Sequence, residues 1–471
     1  MRYSFFKNLD SYMKRGMISK LSPYVICVVF IIFFSWWSNP GLKGHRIGDS
    51  DGYVDVALET LNEDATSRPI GYPLVIRLSM FLAGGEGKHG AAWPRLVVIM
   101  QMISLSALIS AMFWLYTTLG ISPWIALPAA LAVGVNPNTI RNVGFIIPEL
   151  LLGVIISLAW IQLVRLYNHK HAAWKKVLGK AALIGGLSGL ALLFKPVWIL
   201  GIVPLMAGAG LVFIARPKIA GAVMGVMLLT HVVIWWSWQV FLLIHFNQIK
   251  PSVASANMFN FCSIRAGLTH HAEGTPLYHY MEEKGILDEA KSLTWHDFEK
   301  WSRIRQQIGY PIRYDETFYR AVFAREIMTL IKIQISRWPK FFTTRTPFPR
   351  GGDDYTFPLM PSFVRYLYYG SYNWLFRPIG PILLILSLVY GMYNPRLRPV
   401  TISAALIILY FSSVVTFSSY QNPLFMRLRV GLEMMLLFMA FLPLCVFSQK
   451  LLDRWKPLLS GAPIEKTDNR P

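Results

Sequence analysis

The sequence predicts an all-α polytopic membrane protein, a bundle of about ten transmembrane helices with two large non-cytoplasmic loops that contain short interfacial helices. Of its 471 residues, 54% are hydrophobic and only 15% are charged, which is too little polar surface for a soluble protein. Apolar runs recur from residue 21 to residue 448, and most approach the roughly 20 residues that cross the hydrocarbon. Strand-like alternation is absent from these runs, so helices are the spanning elements.

The apolar runs between polar breaks are the predicted spans. They lie near residues 21–38, 95–118, 121–135, 147–167, 181–194, 197–215, 219–245, 371–393, 400–418 and 430–448. An even number of spans places both termini on one side of the membrane. Basic residues cluster in the short loops at 169–180, 216–218 and 396–398, on the same side as the basic start and tail. By the positive-inside rule, these loops and both termini are cytoplasmic.

This topology divides the chain into three parts. Residues 1–245 form an N-terminal transmembrane module, whose first outer loop, residues 39–94, is expected to be catalytic. Residues 246–370 form a large non-cytoplasmic loop, where apolar residues at helical spacing predict short helices packed on the membrane face. Residues 371–471 form the C-terminal transmembrane helices and a cytoplasmic tail.

The charge and the cysteines exclude several classes of function. A formal net charge of +21 would favour nucleic acid in a soluble protein, but here the basic residues flank apolar runs. We therefore expect contacts with anionic membrane lipids and none with nucleic acid. Cys27, Cys262 and Cys445 are too far apart to predict a disulfide framework or a zinc site, and the loosely spaced histidines of the large loop predict no metal site.

The first outer loop holds the residues most typical of chemistry. Its segment Gly48–Ala57 places Asp49 and Asp51 directly after the first span, where the membrane meets water. A carboxylate there is partly withdrawn from water, which strengthens it as a general base. An acidic surface turn is the alternative interpretation. A carboxylate clamp for a metal and a nucleotide sugar is disfavoured, because no nucleotide-binding pattern surrounds these residues.

Several features, in chain order, resemble the GT-C superfamily of glycosyltransferases, the broad group that includes the dolichyl-phosphate-mannose protein mannosyltransferases and the bacterial lipid A aminoarabinose transferase. Asp49 stands four residues before Tyr53, and Ala57 stands four residues after it, as in that group. The remaining matches are Arg68-Pro69 with the turn Gly71-Tyr72-Pro73, Pro148-Glu149 at the start of a span, Lys195-Pro196, and the late basic pair Arg427 and Arg429.

The resemblance implies an inverting transfer of a sugar from a polyprenyl-phosphate-linked donor to a glycan, lipid or protein acceptor on the non-cytoplasmic face. Asp49 is then the expected catalytic base, and Asp51 is the second candidate. Arg68, Lys195 and Arg429 are expected to bind the donor phosphate, which needs cationic partners as it leaves. No cofactor is implied, and assistance by a divalent metal stays open. Further candidate site residues are Tyr53, Tyr72, Glu149 and Arg427.

Other interpretations stay open at this point. Snorkelling to the interface accounts for Lys195 and Arg429, and helix-dipole stabilisation accounts for Glu149. A membrane transporter or flippase of lipid-linked or small-molecule substrates would share the many helices, but favours charges along a central pathway. A glycan polymerase or ligase would use arginines of the large loop. The expected location is a bacterial inner membrane, with the active site on the periplasmic face.

Overall fold

The computed structural model describes residues 16–46, 50–59, 68–85, 87–247, 254–309, 312, 315–343, 360–374, 379–394, 397–418 and 422–460, without the side chains of residues 16–21, 254–256, 298, 417–418, 422–428 and 456–460. Within these ranges the regular elements are helical, apart from a single parallel bridge between His45 and Phe145.

The first half of the chain forms ten α-helices in the described ranges. They are α1 (Gly16–Ser38), α2 (Ser50–Leu58), α3 (Gly71–Leu82), α4 (Ala92–Thr118), α5 (Pro123–Gly134), α6 (Pro137–Val143), α7 (Glu149–Asn168), α8 (Trp174–Phe194), α9 (Ile202–Val212) and α10 (Pro217–Phe246). A short 3-10 helix, Pro196–Trp198, separates α8 from α9.

The second half adds short helices and then returns to long ones. They are α11 (Ala254–Arg265), α12 (Pro276–Glu283), α13 (Leu287–Lys291), α14 (Phe298–Gln307), α15 (Glu316–Thr343), α16 (Ser362–Trp374), α17 (Gly380–Tyr393), α18 (Arg398–Ser418) and α19 (Asn422–Ser460). A 3-10 helix, Thr269–Ala272, lies between α11 and α12.

Six of the described helices are long and apolar enough to cross a membrane. These spans are Ala92–Thr118, Glu149–Asn168, Trp174–Phe194, Pro217–Phe246, Arg398–Thr416 and Arg429–Trp455. They confirm the predicted all-α membrane protein, whereas the count of about ten spans stays a prediction. Of the predicted span 371–393, the structure describes the end of α16 up to Trp374 and α17 from Gly380, and residues 375–378 lie outside the described part.

The two ends of the bundle can be told apart by contacts between antiparallel neighbours. At one end, here called the upper end, the start of α7 meets the end of α8 where Lys195 Nζ lies 2.7 Å from Glu149 Oε1. At the opposite, lower end, Arg216 lies 3.4 Å from His171, so the loops after α7 and after α9 meet. The basic loops at 169–180 and 216–218 therefore both lie at the lower end.

The start of α6, at the upper end, is set by a proline and by a capping side chain. Pro137 occupies the first turn of α6, where its missing N–H leaves no hydrogen bond unmade. The Asn136 side chain caps the same helix by accepting a 2.9 Å hydrogen bond from the Asn138 N–H. Gln101, in the upper half of α4, donates to the carbonyls of Val143 and Phe145 at 3.1 and 3.0 Å. The end of α6 is thus fixed to the bundle through its main chain.

An upper unit follows α10 and has a hydrophobic core of its own. Its buried residues include Phe261, Ile264, Leu277, Met281, Trp301, Ile304, Phe318, Val322 and Leu330. The helix α15 connects this unit to the bundle, since Phe318 packs in the upper core and Phe341 packs in the bundle core. Between them the backbone leaves helical geometry at Glu326, with φ −127° and ψ 22°.

Candidate active site

The first loop is fastened to the loop before α7 by main-chain hydrogen bonds. The His45 N–H donates to the Gly144 carbonyl at 2.8 Å, and the Ile146 N–H donates to the His45 carbonyl at 3.0 Å. The Ser50 hydroxyl, at the start of α2, adds a 2.8 Å bond to the Ile146 carbonyl. Asp49, the predicted base, lies outside the described residues, but its neighbour Ser50 is anchored three residues before Glu149.

A row of aromatic rings connects the first loop to the end of α8. The Arg68 guanidinium lies 5.7 Å from the centre of the Tyr53 ring. Tyr53 meets Tyr72 edge to face at 5.5 Å, and Tyr72 meets Phe194 edge to face at 6.3 Å. Gly52 lies under the guanidinium, and a Cβ atom at this position would overlap it. Tyr53 therefore contacts both Arg68 and Tyr72, which the sequence pattern had grouped with it.

Lys195 and Glu149 form a buried ion pair beside this row. Lys195 follows the last turn of α8 in an extended conformation, and its ammonium reaches Glu149 at 2.7 Å. Only 1% of Glu149 is exposed. The helix dipole of α7 and the ammonium both stabilise this carboxylate. Gly71 packs against the Leu193 carbonyl, which its Cβ would approach to 2.7 Å, so the start of α3 lies against the end of α8.

Asp51 lies in a more open network. Its side chain is 62% exposed and lies 3.4 Å from the Arg46 guanidinium. Arg46 in turn stacks 5.3 Å from the Trp93 ring and donates to the Lys88 carbonyl, while Lys88 lies 2.6 Å from Asp55. Asp51 therefore lies largely in solvent, with Arg46 as its cationic neighbour.

Arg429 is fully buried at the junction of α15 and α19. Its guanidinium donates to the carbonyls of Phe341 and Phe342 at 3.1 and 3.4 Å, and it lies 3.7 Å from Glu433. Glu433 also accepts a hydrogen bond from Asn138 of α6. The phosphate-binding role expected for Arg429 stays a prediction. The side chain of Arg427 lies outside the described residues.

Sequence analysis missed Glu433, although a signal for it was present. The carboxylate stands four residues after Arg429 in an apolar helix, the spacing at which opposite charges meet on one helix face. Gly153, one turn after Glu149, packs against this part of α19, since its Cβ would lie 2.9 Å from the Val430 carbonyl. The two buried carboxylates therefore belong to neighbouring helices.

Within the described part of the chain, no three side chains of histidine, cysteine, aspartate or glutamate converge in a way that could hold a metal ion. Three of the described upper-end carboxylates, Asp51, Asp55 and Glu149, each lie beside a cation. Assistance by a divalent metal therefore stays an open question.

Comparison with known proteins finds similarity in structure and none in sequence. No protein family profile and no curated protein sequence matches the chain. Archaeal oligosaccharyltransferase AglB from Archaeoglobus fulgidus, in complex with an inhibitory peptide and a dolichol-phosphate, matches with a TM-score of 0.53 and 13% identity, covering 95% of this chain and 53% of AglB. The crystal structure of an Archaeoglobus fulgidus oligosaccharyltransferase in the apo form matches with a TM-score of 0.51 and 13% identity, covering 94% of this chain and 52% of that protein.

A third solved structure, ArnT from Cupriavidus metallidurans bound to undecaprenyl phosphate, has a TM-score of 0.37 and 13% identity over 89% of this chain and 78% of ArnT. That score is too low to support an argument. The chain spans about half the length of the oligosaccharyltransferase that it matches.

The resemblance noted in the sequence is confirmed at the level of the fold. More particularly, nearly the whole chain has the fold of the matched half of the Archaeoglobus fulgidus oligosaccharyltransferase. At 13% identity this similarity establishes the architecture and leaves the reaction to be argued from the site.

Proposed function

We propose that this protein is a glycosyltransferase that moves a sugar from a polyprenyl-phosphate-linked donor to an acceptor on the non-cytoplasmic face of the membrane. One observation carries the proposal. Five residues that the sequence pattern singled out converge at the upper end of the bundle. They are Tyr53, Arg68, Tyr72, Glu149 and Lys195. The fold around them matches the oligosaccharyltransferase over 95% of this chain.

The donor phosphate is assigned to the cations of this cluster. Arg68 offers a planar guanidinium that can bind a phosphate with two parallel hydrogen bonds, and Tyr53 fixes its position. Lys195 uses one of its three N–H donors on Glu149, which leaves two for a second phosphate oxygen. The dolichol-phosphate in the AglB complex supports a lipid phosphate as the ligand of this fold.

The general base is assigned to Asp49. It would take the proton of the acceptor's nucleophilic group as that group attacks the anomeric carbon, while the polyprenyl phosphate leaves from the opposite face. A single displacement of this kind inverts the anomeric configuration. The exposure of Asp51 and its pairing with Arg46 support the choice of Asp49 over Asp51.

The upper end is proposed to face away from the cytoplasm. The basic loops 169–180 and 216–218 lie at the lower end, as the positive-inside rule requires of cytoplasmic loops. Gln449, near the end of α19, accepts a 2.8 Å hydrogen bond from the Ser122 N–H at the lower end, which supports a cytoplasmic C-terminus. In a bacterial inner membrane the active site would then open to the periplasm.

The acceptor is a glycan, a lipid or a protein of the envelope, and an experiment can identify it together with the base. We would compare polyprenyl lipids and envelope glycans by mass spectrometry in cells lacking the protein and in cells complemented with wild type, Asp49→Asn, Asp51→Asn or Asp55→Asn. We expect a polyprenyl-phosphate sugar to accumulate in the deletion strain while one glycan loses the same sugar. Asp49→Asn should lower transfer by about a hundredfold to ten-thousandfold, the usual contribution of a general base.

The control in this experiment is Asp55→Asn, because Asp55 lies in the same helix as Asp51 and pairs with Lys88. Near-normal transfer by Asp49→Asn together with a large loss in Asp51→Asn would move the base to Asp51. If the deletion strain shows no change in either lipids or glycans, the glycosyltransferase proposal is wrong, and the flippase alternative gains weight.

A further inference from the structure

Tyr72 carries a buried hydroxyl that the fold does not use. The residue stands in the first turn of α3, and none of its surface is exposed. Within the described part of the chain, its hydroxyl has no hydrogen-bond partner. A hydroxyl withdrawn from water without a partner destabilises the fold, so a ligand that supplies the missing hydrogen bond is bound favourably there.

Four other tyrosine hydroxyls of the bundle are used differently. Each of them donates a hydrogen bond to a main-chain carbonyl of another helix or loop. They belong to Tyr116, Tyr368, Tyr372 and Tyr410, and their acceptors are Phe438, Val135, Ala132 and Val197. The bundle thus supplies these hydroxyls with an acceptor, and the hydroxyl of Tyr72 departs from that pattern.

The ring contacts of Tyr72 place it inside the assigned site. It meets Tyr53 edge to face, and Tyr53 in turn lies 5.7 Å from the Arg68 guanidinium. It also meets Phe194, which precedes Lys195 in the chain. One row of contacts therefore joins Tyr72 to both of the partly exposed cations that are assigned to the donor phosphate.

The main chain fixes Tyr72 in this position. Gly71 packs so closely on the Leu193 carbonyl that a Cβ atom there would approach it to 2.7 Å. Pro73 fixes the φ angle that follows. Because the ring is also held by Tyr53 and Phe194, its hydroxyl is preorganised, which is the condition for selective binding.

Two simpler roles account less well for the hydroxyl. Packing against Tyr53 and Phe194 needs only the ring, which phenylalanine also has. A link to Glu149 is the second role, because this carboxylate is near enough to act on the Tyr72 hydroxyl electrostatically. The two groups form no hydrogen bond, however, and the Lys195 ammonium already lies 2.7 Å from the carboxylate.

The nearby carboxylate indicates which part of the donor meets the hydroxyl. Glu149 disfavours a second anion beside Tyr72, whereas the hydroxyl groups of a sugar are neutral and both donate and accept hydrogen bonds. The sugar is joined directly to the phosphate, so it lies next to the group assigned to Arg68 and Lys195. Aromatic rings with a few placed polar groups are also the usual lining of a ligand site.

We propose that the Tyr72 hydroxyl hydrogen-bonds a hydroxyl group of the donor's sugar and thereby selects the sugar that the protein transfers. This inference rests on the proposed glycosyl transfer and assigns a specificity-determining residue to it. A site built to hydrogen-bond one substrate hydroxyl rejects an analogue that lacks it, because the buried protein group is then left without a partner.

The test compares lipids with and without the sugar. The polyprenyl-phosphate sugar that accumulates in the deletion strain is purified and titrated into full-length protein in detergent, and undecaprenyl phosphate is titrated separately. Tyr72→Phe is compared with wild type and with Tyr116→Phe. The control is matched, because Tyr116 is also fully buried, but its hydroxyl donates to the Phe438 carbonyl at 3.0 Å from the lower half of α4.

We expect Tyr72→Phe to bind the sugar-bearing lipid about fivefold to tenfold more weakly than wild type, as the loss of one hydrogen bond predicts. Its affinity for undecaprenyl phosphate should not change. Its unfolding temperature without ligand should not fall, because no hydrogen bond of the fold is lost. Tyr116→Phe should show the opposite pattern, with a lower unfolding temperature and the affinities of wild type.

Deoxy analogues identify the sugar hydroxyl that Tyr72 meets. Once mass spectrometry has identified the sugar, its monodeoxy analogues are linked to undecaprenyl phosphate and titrated in the same way. One analogue should bind wild type about as weakly as the natural donor binds Tyr72→Phe. The same analogue should lose no further affinity in Tyr72→Phe, since the hydrogen bond is already absent.

Equal affinity of wild type and Tyr72→Phe for the sugar-bearing lipid would overturn the inference, and so would an equal loss for undecaprenyl phosphate. If Tyr72→Phe does not give a monodisperse protein, the analogues decide, because undiminished binding of all of them to wild type would also overturn it. A deletion strain without an accumulated donor, or a wild-type protein that binds neither lipid, would overturn the proposed function together with the inference. The two failures are therefore distinguishable.

Discussion

At the scale of single residues, Gly52 controls the position of Arg68. A Cβ atom at residue 52 would overlap the guanidinium, which is the mobile end of a long side chain. We therefore expect Gly52→Ala to fold normally, since alanine also favours helix α2, but to displace Arg68 from Tyr53. The apparent KM for the polyprenyl-phosphate donor should rise about tenfold, measured by transfer to an acceptor in membranes.

A suitable control is Gly225→Ala in α10, because a Cβ atom there would meet nothing within 4 Å. This variant should keep the KM of wild type. A Gly52→Ala enzyme with an unchanged KM for the donor would contradict the placement of the donor phosphate on Arg68.

His45 should make the first loop sensitive to pH. Burial, and secondarily the nearby Lys43, lower the pKa of His45 from its ordinary value of 6.5. The unfolded loop then binds more protons than the folded loop in the window between the lowered pKa and 6.5, so stability is present above 6.5 and is lost as the pH falls through that window.

The temperature of half-unfolding of wild type should therefore decrease as the pH is lowered from about 7.5 to about 5.5. It should decrease less in His45→Gln, which cannot take up a proton at residue 45. The measurement is thermal unfolding of the purified protein at both pH values. An equal fall in the two proteins would show that His45 does not contribute.

At the scale of elements, the Lys195–Glu149 pair joins the end of α8 to the start of α7. Lys195→Met should leave the buried Glu149 carboxylate without its cation and destabilise the protein by about 3 to 5 kcal/mol. The double variant Glu149→Gln with Lys195→Met removes both charges and should regain most of that stability. Thermal unfolding of the single and double variants measures the difference.

Transfer assays on the same variants separate structure from chemistry. If Glu149 and Lys195 serve only to join the two helices, the double variant should recover activity along with stability. We expect stability to return without activity, because Lys195 is proposed to contact the donor. Recovery of both would remove the pair from the site.

Helix ends were predictable where a proline marks them in the sequence. Pro148 marks the start of α7, and Lys195-Pro196 marks the end of α8, so both helix ends follow from the sequence. Helix α3 was not among the predicted spans, because its 12 residues are too few to cross a bilayer.

The contacts between elements were not predictable in the same way. The spacing motif predicted Tyr53, Arg68 and Tyr72 as candidates, but their stacking depends on how α2 and α3 turn toward α8. Likewise, the pairing of Lys195 with Glu149 requires the antiparallel packing of two long helices.

At the scale of the whole molecule, the orientation in the membrane can be tested with engineered cysteines. Cys27, Cys262 and Cys445 are buried, and burial raises the pKa of Cys262 to about 12, so the background reaction should be low. We expect a membrane-impermeant maleimide to label Lys284→Cys, in the upper unit, from outside intact bacterial spheroplasts. Lys176→Cys, at the lower end, should react only after the membrane is opened.

The opposite labelling pattern would place the site in the cytoplasm and would contradict a lipid-linked donor on the outer face. Labelling of both positions in intact spheroplasts would show that the preparation is leaky. A cytoplasmic marker protein serves as the control, since it should stay unlabelled in intact spheroplasts. Both cysteine positions are exposed in the fold, so failure to react in opened membranes is not expected.

The bridge between His45 and Phe145 has a consequence for how such proteins diverge. Its two hydrogen bonds join main-chain groups, which every residue except proline supplies in full. Mutation can therefore exchange the side chains of the first loop over long times while the loop keeps its course beside α7. Distant relatives are then better sought by the separation of the few side chains proposed to meet the substrate, at positions 49, 53 and 68, than by overall identity.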